Sequence, residues 1–167
     1  MNWPRILVAG IGNIFRGDDA FGVEVAQRLL RRPQPPDVRV VDFGIRGMDL
    51  VYALLDGYEA VVFVDAVPRG EAPGTLYVLE PDVAAATPDG PVMEAHGLDP
   101  VKVLRLAASM GATVQRLFLI GCEPTPPGDD EAAMEMSAAA RAAVDEAVPL
   151  VESLVARLLR GEKVGAV

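Results

Sequence analysis

Three aspartates and one histidine have the residue types and the positions in the sequence that chemistry at a metal ion requires. Asp19, Asp42 and Asp65 follow apolar segments, and His96, the single histidine, lies in a glycine-flanked loop. Carboxylate oxygens and an imidazole nitrogen from separate segments bind divalent metals, and three ligands leave coordination positions open for a substrate. Asp19, Asp65 and His96 are therefore candidate ligands of a metal site, and Asp42 is a candidate base or orienting group near them.

Each of these side chains also has a structural interpretation. Asp18 and Asp19 fall in a predicted first helical turn, where the helix dipole alone favours acids. Asp42 would satisfy the backbone of its own turn, and a single loop histidine is most often solvated or simply hydrogen bonded. Asp65 is harder to explain without a function, because it follows five apolar residues and an unpaired buried carboxylate is costly.

Nucleophilic catalysis has less support in the sequence. Cys122 is the one cysteine, and no second histidine exists to activate it, so we interpret it as a small buried residue. Glu123 is either a pocket carboxylate or a solvated loop acid. No serine or threonine triad is visible once His96 is assigned as a metal ligand.

The segment "GIGNIFRGDDAFG" at 10–22 also raises the alternative of a non-enzymatic nucleotide- or metal-binding protein. A dinucleotide fingerprint needs a third glycine where this chain has Phe15, although Asp42 stands where a ribose-binding acid would be. Asp18 and Asp19 at the helix entry would repel a phosphate. We therefore assign no residue to cofactor binding.

Four continuous apolar segments predict strands that are buried on both faces. They are 5–10, 38–43, 60–67 and 116–121, and 74–79 predicts a further strand at the sheet edge, possibly antiparallel. The segments between them have helical spacing. Four helices are predicted. The first runs from near Asp18 to before Pro33 and has an apolar stripe of Phe21, Val25, Leu29 and Leu30, the second covers 47–57, and the third runs from about Asp99 to Met110. The fourth is capped by Ser137 and has an apolar seam of Val144, Val148, Val151, Val155 and Leu158. The alternation predicts a helix-covered parallel sheet.

Composition limits the partners and the compartment. The chain has 167 residues, 51% of them hydrophobic, which fits one domain over residues 1–167. Its 24 acidic and 15 basic side chains give a net charge of -9, which disfavours nucleic acid and anionic membranes. No segment approaches the ~20 apolar residues of a membrane span, and no export signal is evident, so the cytoplasm is the expected compartment.

The segment at 10–22, the "VDAV" at 64–67 and a single histidine before the third helix together resemble the hydrogenase maturation endopeptidases. Members of that family trim the C-terminus of the large subunit of nickel-iron hydrogenases. The resemblance runs from about Ile6 to Leu159. It implies an α/β three-layer sandwich in which a twisted, mostly parallel five-stranded sheet has helices on both faces.

The resemblance assigns the metal-ligand trio to Asp19, Asp65 and His96 and implies an endopeptidase of aspartic type. The metal would be nickel presented by the substrate, the precursor of the hydrogenase large subunit, and other divalent ions would substitute in the isolated protein. The "DFGIRG" at 42–47 departs from the Gly-Gly-Thr loop of many members. Which hydrogenase is processed and the oligomeric state therefore stay open, and Arg46 is expected to contact a substrate carboxylate.

Overall fold

The sheet has four parallel strands and one antiparallel edge strand. The computed structural model describes residues 4–81, 100–126 and 135–164. Within these residues the strands are β1 (Ile6–Ile11), β2 (Val38–Gly44), β3 (Ala60–Ala66), β4 (Leu76–Leu79) and β5 (Arg116–Cys122). The spatial order is β2-β1-β3-β5-β4, and only the β4–β5 pair is antiparallel among these strands. The five predicted strands and the edge position of β4 are confirmed.

Four helices and one 3₁₀ turn connect the strands. They are the 3₁₀ turn Gly17–Ala20, α1 (Phe21–Leu30), α2 (Gly47–Leu55), α3 (Pro100–Ser109) and α4 (Ala138–Leu159). Helix α1 therefore begins at Phe21, three residues after the predicted start near Asp18, because residues 17–20 form the tighter 3₁₀ turn. Leu30 is 55% exposed, so its assignment to the buried stripe was wrong. In the described part of the chain, no helix combines the length and apolarity needed to cross a bilayer.

The helices form one layer on each face of the sheet. α1 and α4 pack against side chains such as Val8, Val62 and Phe118. On the opposite face, α2 and α3 pack against alternate residues such as Leu7 and Phe63. Strands buried on both faces must be apolar throughout, which explains the continuous apolar segments in the sequence. The three-layer α/β prediction is confirmed.

Helix α4 closes one face and begins as the sequence predicts. The Ser137 hydroxyl caps it by accepting the N–H of Ala140 at 3.1 Å. The predicted seam of Val144, Val148, Val151, Val155 and Leu158 is buried. Cap and seam together fix where the chain re-enters the core after the segment that follows β5.

The start of α1 lies in direct backbone contact with the sheet. A Cβ added at Gly22 would lie 2.0 Å from the carbonyl oxygen of Val64 and 2.3 Å from that of Ile11. A Cβ at Gly10 would lie 2.5 Å from the Ala26 Cβ. Only glycine permits this approach, so the helix sits on the carboxyl ends of β1 and β3.

We expect Gly22→Ala to lower the free energy of unfolding by about 3 kcal/mol, because the new methyl group overlaps two backbone carbonyls that cannot move aside. Alanine at an ordinary helical position would instead stabilise the helix. Gly57→Ala is the matched control, since Gly57 has φ +82° with open space around it and should lose only about 1 kcal/mol. Equal urea midpoints for the two variants would contradict the close packing.

Candidate functional site

The predicted site residues stand at the edge of the sheet where the parallel strands end. Asp42 on β2 pairs in register with Gly10 on β1, which in turn pairs with Val64 on β3. Asp65 therefore lies one residue closer to the end of its strand than Asp42 does. Loops from neighbouring strands meet at this edge, which is where ligands bind in open α/β sheets.

The loop after β1 is folded back on itself by hydrogen bonds of Asn13. Its backbone N–H donates to Oδ2 of Asp19 at 2.9 Å, and its own Oδ1 accepts the N–H of Phe15 at 2.9 Å. Its carbonyl oxygen accepts the N–H of Arg16 at 3.1 Å. Gly12 has φ +152°, and a Cβ there would lie 1.9 Å from the Asp19 carbonyl oxygen. The glycine and asparagine of the motif therefore position Asp19.

Asp19 is held near the end of β3. The 3₁₀ turn that carries it contacts β3, and its side chain is half-buried. One carboxylate oxygen accepts from Asn13, and the described residues supply no hydrogen-bond donor to the other. An oxygen of this kind at a sheet edge suits a hard or borderline cation.

Asp65 is buried at the same edge. It is 9% exposed, and its Oδ1 accepts the N–H of Ala66 at 2.8 Å. The pleat places Asp65 on the same face as Phe63, which is the face covered by α2 and α3. Helix α3 begins at Pro100, and its buried residues Val103, Leu104 and Ala107 pack on this same face.

Asp42 belongs to the opposite face of the sheet. Its strand is separated from β3 by β1, so about 10 Å of sheet lies between the two strands. Its Oδ2 accepts the side-chain amide of Gln27 at 3.2 Å, and a Cβ at Gly44 would lie 3.8 Å from its Oδ1. The carboxylate does not bond the backbone of its own turn. Asp42 is therefore not placed to share one ion with Asp65.

The trio of Asp19, Asp65 and His96 stays a prediction, because His96 lies outside the described residues. In residues 4–81, 100–126 and 135–164, no three histidine, cysteine or acidic side chains gather in a group that could hold a metal ion. The structure brings the elements that carry Asp19 and Asp65 together at one edge.

Asp18 is a buried carboxylate whose role the sequence did not reveal. Its oxygens accept the N–H of Thr125 at 2.8 Å and both the N–H and the hydroxyl of Ser137 at 2.7 and 2.9 Å. Burial is the largest single influence and raises the pKa of Asp18, but these hydrogen bonds together outweigh it and hold the pKa below its usual range. The adjacent acids at 18 and 19 were the one signal for this role in the sequence. Neighbouring side chains in a 3₁₀ turn point about 120° apart, so the two carboxylates must face different surroundings.

Glu123 is also a structural carboxylate rather than a pocket acid. It is 5% exposed and accepts the hydroxyl of Tyr77 at 2.7 Å and the N–H groups of Arg69 and Gly70. The bond from Tyr77, with those from the two N–H groups, lowers the pKa of Glu123 against the opposing effect of burial. Burial and the same bond raise the pKa of Tyr77 to about 12. Glu123 thus fixes the loop that follows β3.

Two further residues have structural roles. Cys122 is buried, and burial together with the charges of Asp18 and Glu123 raises the pKa of its thiol to about 11, which excludes a thiolate nucleophile near neutral pH. Arg46 donates to the carbonyl oxygens of Asp42 and Phe43 and to the carboxylate of Asp49. It stabilises its own turn, so a free guanidinium for the substrate is not found there.

The fold and the site define a class of protein. It is an α/β protein with a three-layer sandwich, and Asp19 and Asp65 lie on touching elements at the carboxyl edge of its sheet. A hydrogenase maturation protease family model, HycI, matches residues 23–154. The chain belongs to the hydrogenase maturation protease family. The resemblance read from the sequence is confirmed.

Individual relatives agree. The hydrogenase expression/formation protein HupD of Rhodobacter capsulatus is 36% identical over 72% of this chain. The chain spans only 57% of that relative and 60% of HoxM of Azotobacter vinelandii, which is 39% identical. The hydrogenase maturating endopeptidase HybD from E. coli has a TM-score of 0.72 at 26% identity, with 94% of each chain covered. A hydrogenase 2 maturation peptidase from Thaumarchaeota archaeon SCGC_AB-539-E09 has a TM-score of 0.69 at 32% identity, covering 91% of this chain and 98% of that one.

We expect Asp18→Asn to lower the free energy of unfolding at pH 7 by about 2 kcal/mol, since an amide cannot accept all three hydrogen bonds. The pKa of Asp18 is lower in the folded chain than in the unfolded chain, so its stabilisation is complete above the ordinary carboxyl pKa. That stabilisation is lost as the pH falls through about 4 towards the folded pKa.

Chemical denaturation at pH 7 and at pH 3 measures this effect, and the gap between wild type and Asp18→Asn should narrow at pH 3. Asp56→Asn is the control, because Asp56 is an exposed aspartate whose contact with Arg39 is long, at 3.8 Å. It should cost less than about 1 kcal/mol. A gap for Asp18→Asn that stays constant down to pH 3 would show that the carboxylate charge does not stabilise the fold.

Proposed function

We propose that this chain is an endopeptidase that removes the C-terminal extension of the large-subunit precursor of a [NiFe] hydrogenase. The observation that carries the proposal is the family's fold with Asp19 and Asp65 on touching elements at one sheet edge. Asp18 and Glu123 hold backbone N–H groups of other segments, and Cys122 is buried, so these three residues have structural roles. The reaction is placed in the cytoplasm, where an unpaired cysteine stays reduced.

The substrate is proposed to present nickel already held by its own cysteines. Asp19, Asp65 and His96 would complete the coordination shell of that ion, and other divalent ions would substitute in the isolated protein. Asp65 lies on the face of the sheet where α3 begins, and His96 precedes the first residue of α3 by four positions in the sequence. A precursor without nickel would offer no anchor for these ligands, so cleavage would follow metal loading.

Asp42 is proposed to act on a proton rather than on the metal. It stands on the other face of the sheet from Asp65, with its Oδ2 oriented by Gln27. A carboxylate fixed in this way beside the loop at residues 44–47 is suited to receive a proton from water or to orient the scissile peptide. The nickel of the substrate would supply polarisation of the scissile carbonyl or activation of a water molecule.

Nickel dependence is the first test of the proposed function. Purified enzyme is mixed with nickel-loaded and with nickel-free precursor, and the loss of the C-terminal extension is followed by mass spectrometry. We expect the loaded precursor to be cleaved at least about a hundredfold faster, because only the loaded form presents an ion to the proposed ligands. Equal cleavage of the two precursors would contradict recognition through nickel.

Removal of a proposed ligand is the second test. Asp19→Asn keeps the size of the side chain but removes the charge, and we expect it to slow cleavage of the loaded precursor by about a hundredfold or more while the urea midpoint changes little. His96→Ala is expected to behave in the same way. Asp56→Asn, at the opposite edge of the sheet, should cleave at the wild-type rate. Full activity of Asp19→Asn would remove Asp19 from the site.

A further inference from the structure

An exposed apolar surface lies next to the loop that positions Asp19, at the carboxyl edge of the sheet. We define the rim patch as five side chains that are exposed by 52, 66, 59, 47 and 57%, namely Ile14, Phe15, Ile45, Met48 and Tyr52. They are five of the nine large apolar side chains that are exposed in the described parts of the chain. Single exposed apolar residues need no explanation, but a concentration of them marks an interaction surface.

The members of the rim patch lie on two segments, the loop after β1 and the stretch that runs from the end of β2 into α2. The N–H of Gly12 donates to the carbonyl oxygen of Gly44, the last residue of β2, at 3.0 Å, which joins the two segments. Ile45, Met48 and Tyr52 are three and four residues apart, so they line one side of the entry to α2. The patch is therefore continuous with the loop that positions the proposed ligand Asp19.

The loop that presents the most exposed ring is rigid. Asn13 accepts the N–H of Phe15 with its side chain and that of Arg16 with its backbone. These bonds hold the backbone in one conformation, so the Phe15 side chain stays in solvent at 66% exposure. A surface that is already ordered pays less entropy when a partner binds.

Arg16 adds a positive charge that the described residues do not neutralise. It is exposed, and no carboxylate in residues 4–81, 100–126 or 135–164 pairs with it. By contrast, Arg46 in the neighbouring loop is engaged by Asp49 and by backbone oxygens. In a chain with a net charge of -9, an arginine left without a carboxylate at this rim is complementary to a carboxylate on a partner.

We propose that the rim patch and Arg16 bind the segment of the precursor next to the scissile bond, and that this segment carries apolar side chains and one carboxylate. This inference rests on the proposed function and specifies the substrate chemistry that the function leaves open. The loop at residues 12–16 both presents the patch and positions Asp19. A segment docked on the patch therefore lies beside Asp19.

The test separates docking from cleavage. Binding is measured with nickel-free precursor and cleavage with nickel-loaded precursor, for wild type, Phe15→Ala and Arg16→Glu. We expect each variant to raise both the Kd and the KM about tenfold while kcat changes less than about twofold. Arg31→Glu makes the same charge change at an exposed position after α1, at the other edge of the sheet, and should match wild type.

The outcomes distinguish the two proposals. If the variants bind and cleave like wild type, the docking proposal is overturned and the proposed function stands. If wild type binds the precursor but cleaves neither form, the proposed function fails, and the Kd values of the variants still decide the docking proposal. Failure of wild type to bind nickel-free precursor overturns the docking proposal. It is also overturned if gel filtration shows that Phe15→Ala dissociates a dimer but keeps full precursor binding.

A charge exchange identifies the partner carboxylate. Acidic residues of the precursor within about ten positions of the cut are changed singly to lysine and assayed against Arg16→Glu. One of these changes should restore the Kd of Arg16→Glu to within about threefold of wild type and weaken binding to wild type. If none restores binding, Arg16 does not pair with a carboxylate in that segment.

Discussion

The close contact between the start of α1 and the carboxyl ends of β1 and β3 is the constraint on which the site depends. At Gly22 the helix backbone lies against two strand carbonyls, and at Gly12 the loop lies against the carbonyl of Asp19. Because both contacts fix the backbone, the connection from β1 to α1 is short, and the 3₁₀ turn that carries Asp19 forms its last part. The position of Asp19 beside β3 follows from backbone packing rather than from any attraction to Asp65.

The buried acids of this chain show that burial alone does not identify a catalytic carboxylate. Asp18 and Glu123 are both buried, and each accepts N–H and hydroxyl donors and has a lowered pKa. They join the 3₁₀ turn to α4 and β5 to the loop after β3. Their hydrogen bonds account for their burial, so both carboxylates have a structural explanation.

The strands could be predicted from the sequence because a strand buried on both faces must be apolar along its whole length. The cap at Ser137 could also be predicted, because a hydroxyl residue just before an apolar helical seam is typical of a helix N-cap. The partners of Asp18 were not predictable, because Thr125 and Ser137 lie more than a hundred positions away in the sequence. The sequence analysis expected Asp42 close to Asp65 because both follow apolar strands. The register pairs Asp42 with Gly10 and Gly10 with Val64, so Asp42 and Asp65 lie on opposite faces of the sheet.

The buried thiol of Cys122 has a consequence for metal exchange. It is the single cysteine of the chain, and a pKa of about 11 keeps it protonated at neutral pH. Thiolates are the side chains that would compete most strongly for a soft ion held by sulfur. Under the proposed function, the chain would offer only carboxylate and imidazole ligands to the nickel of its substrate, so it would contact that ion without removing it from the substrate's cysteines.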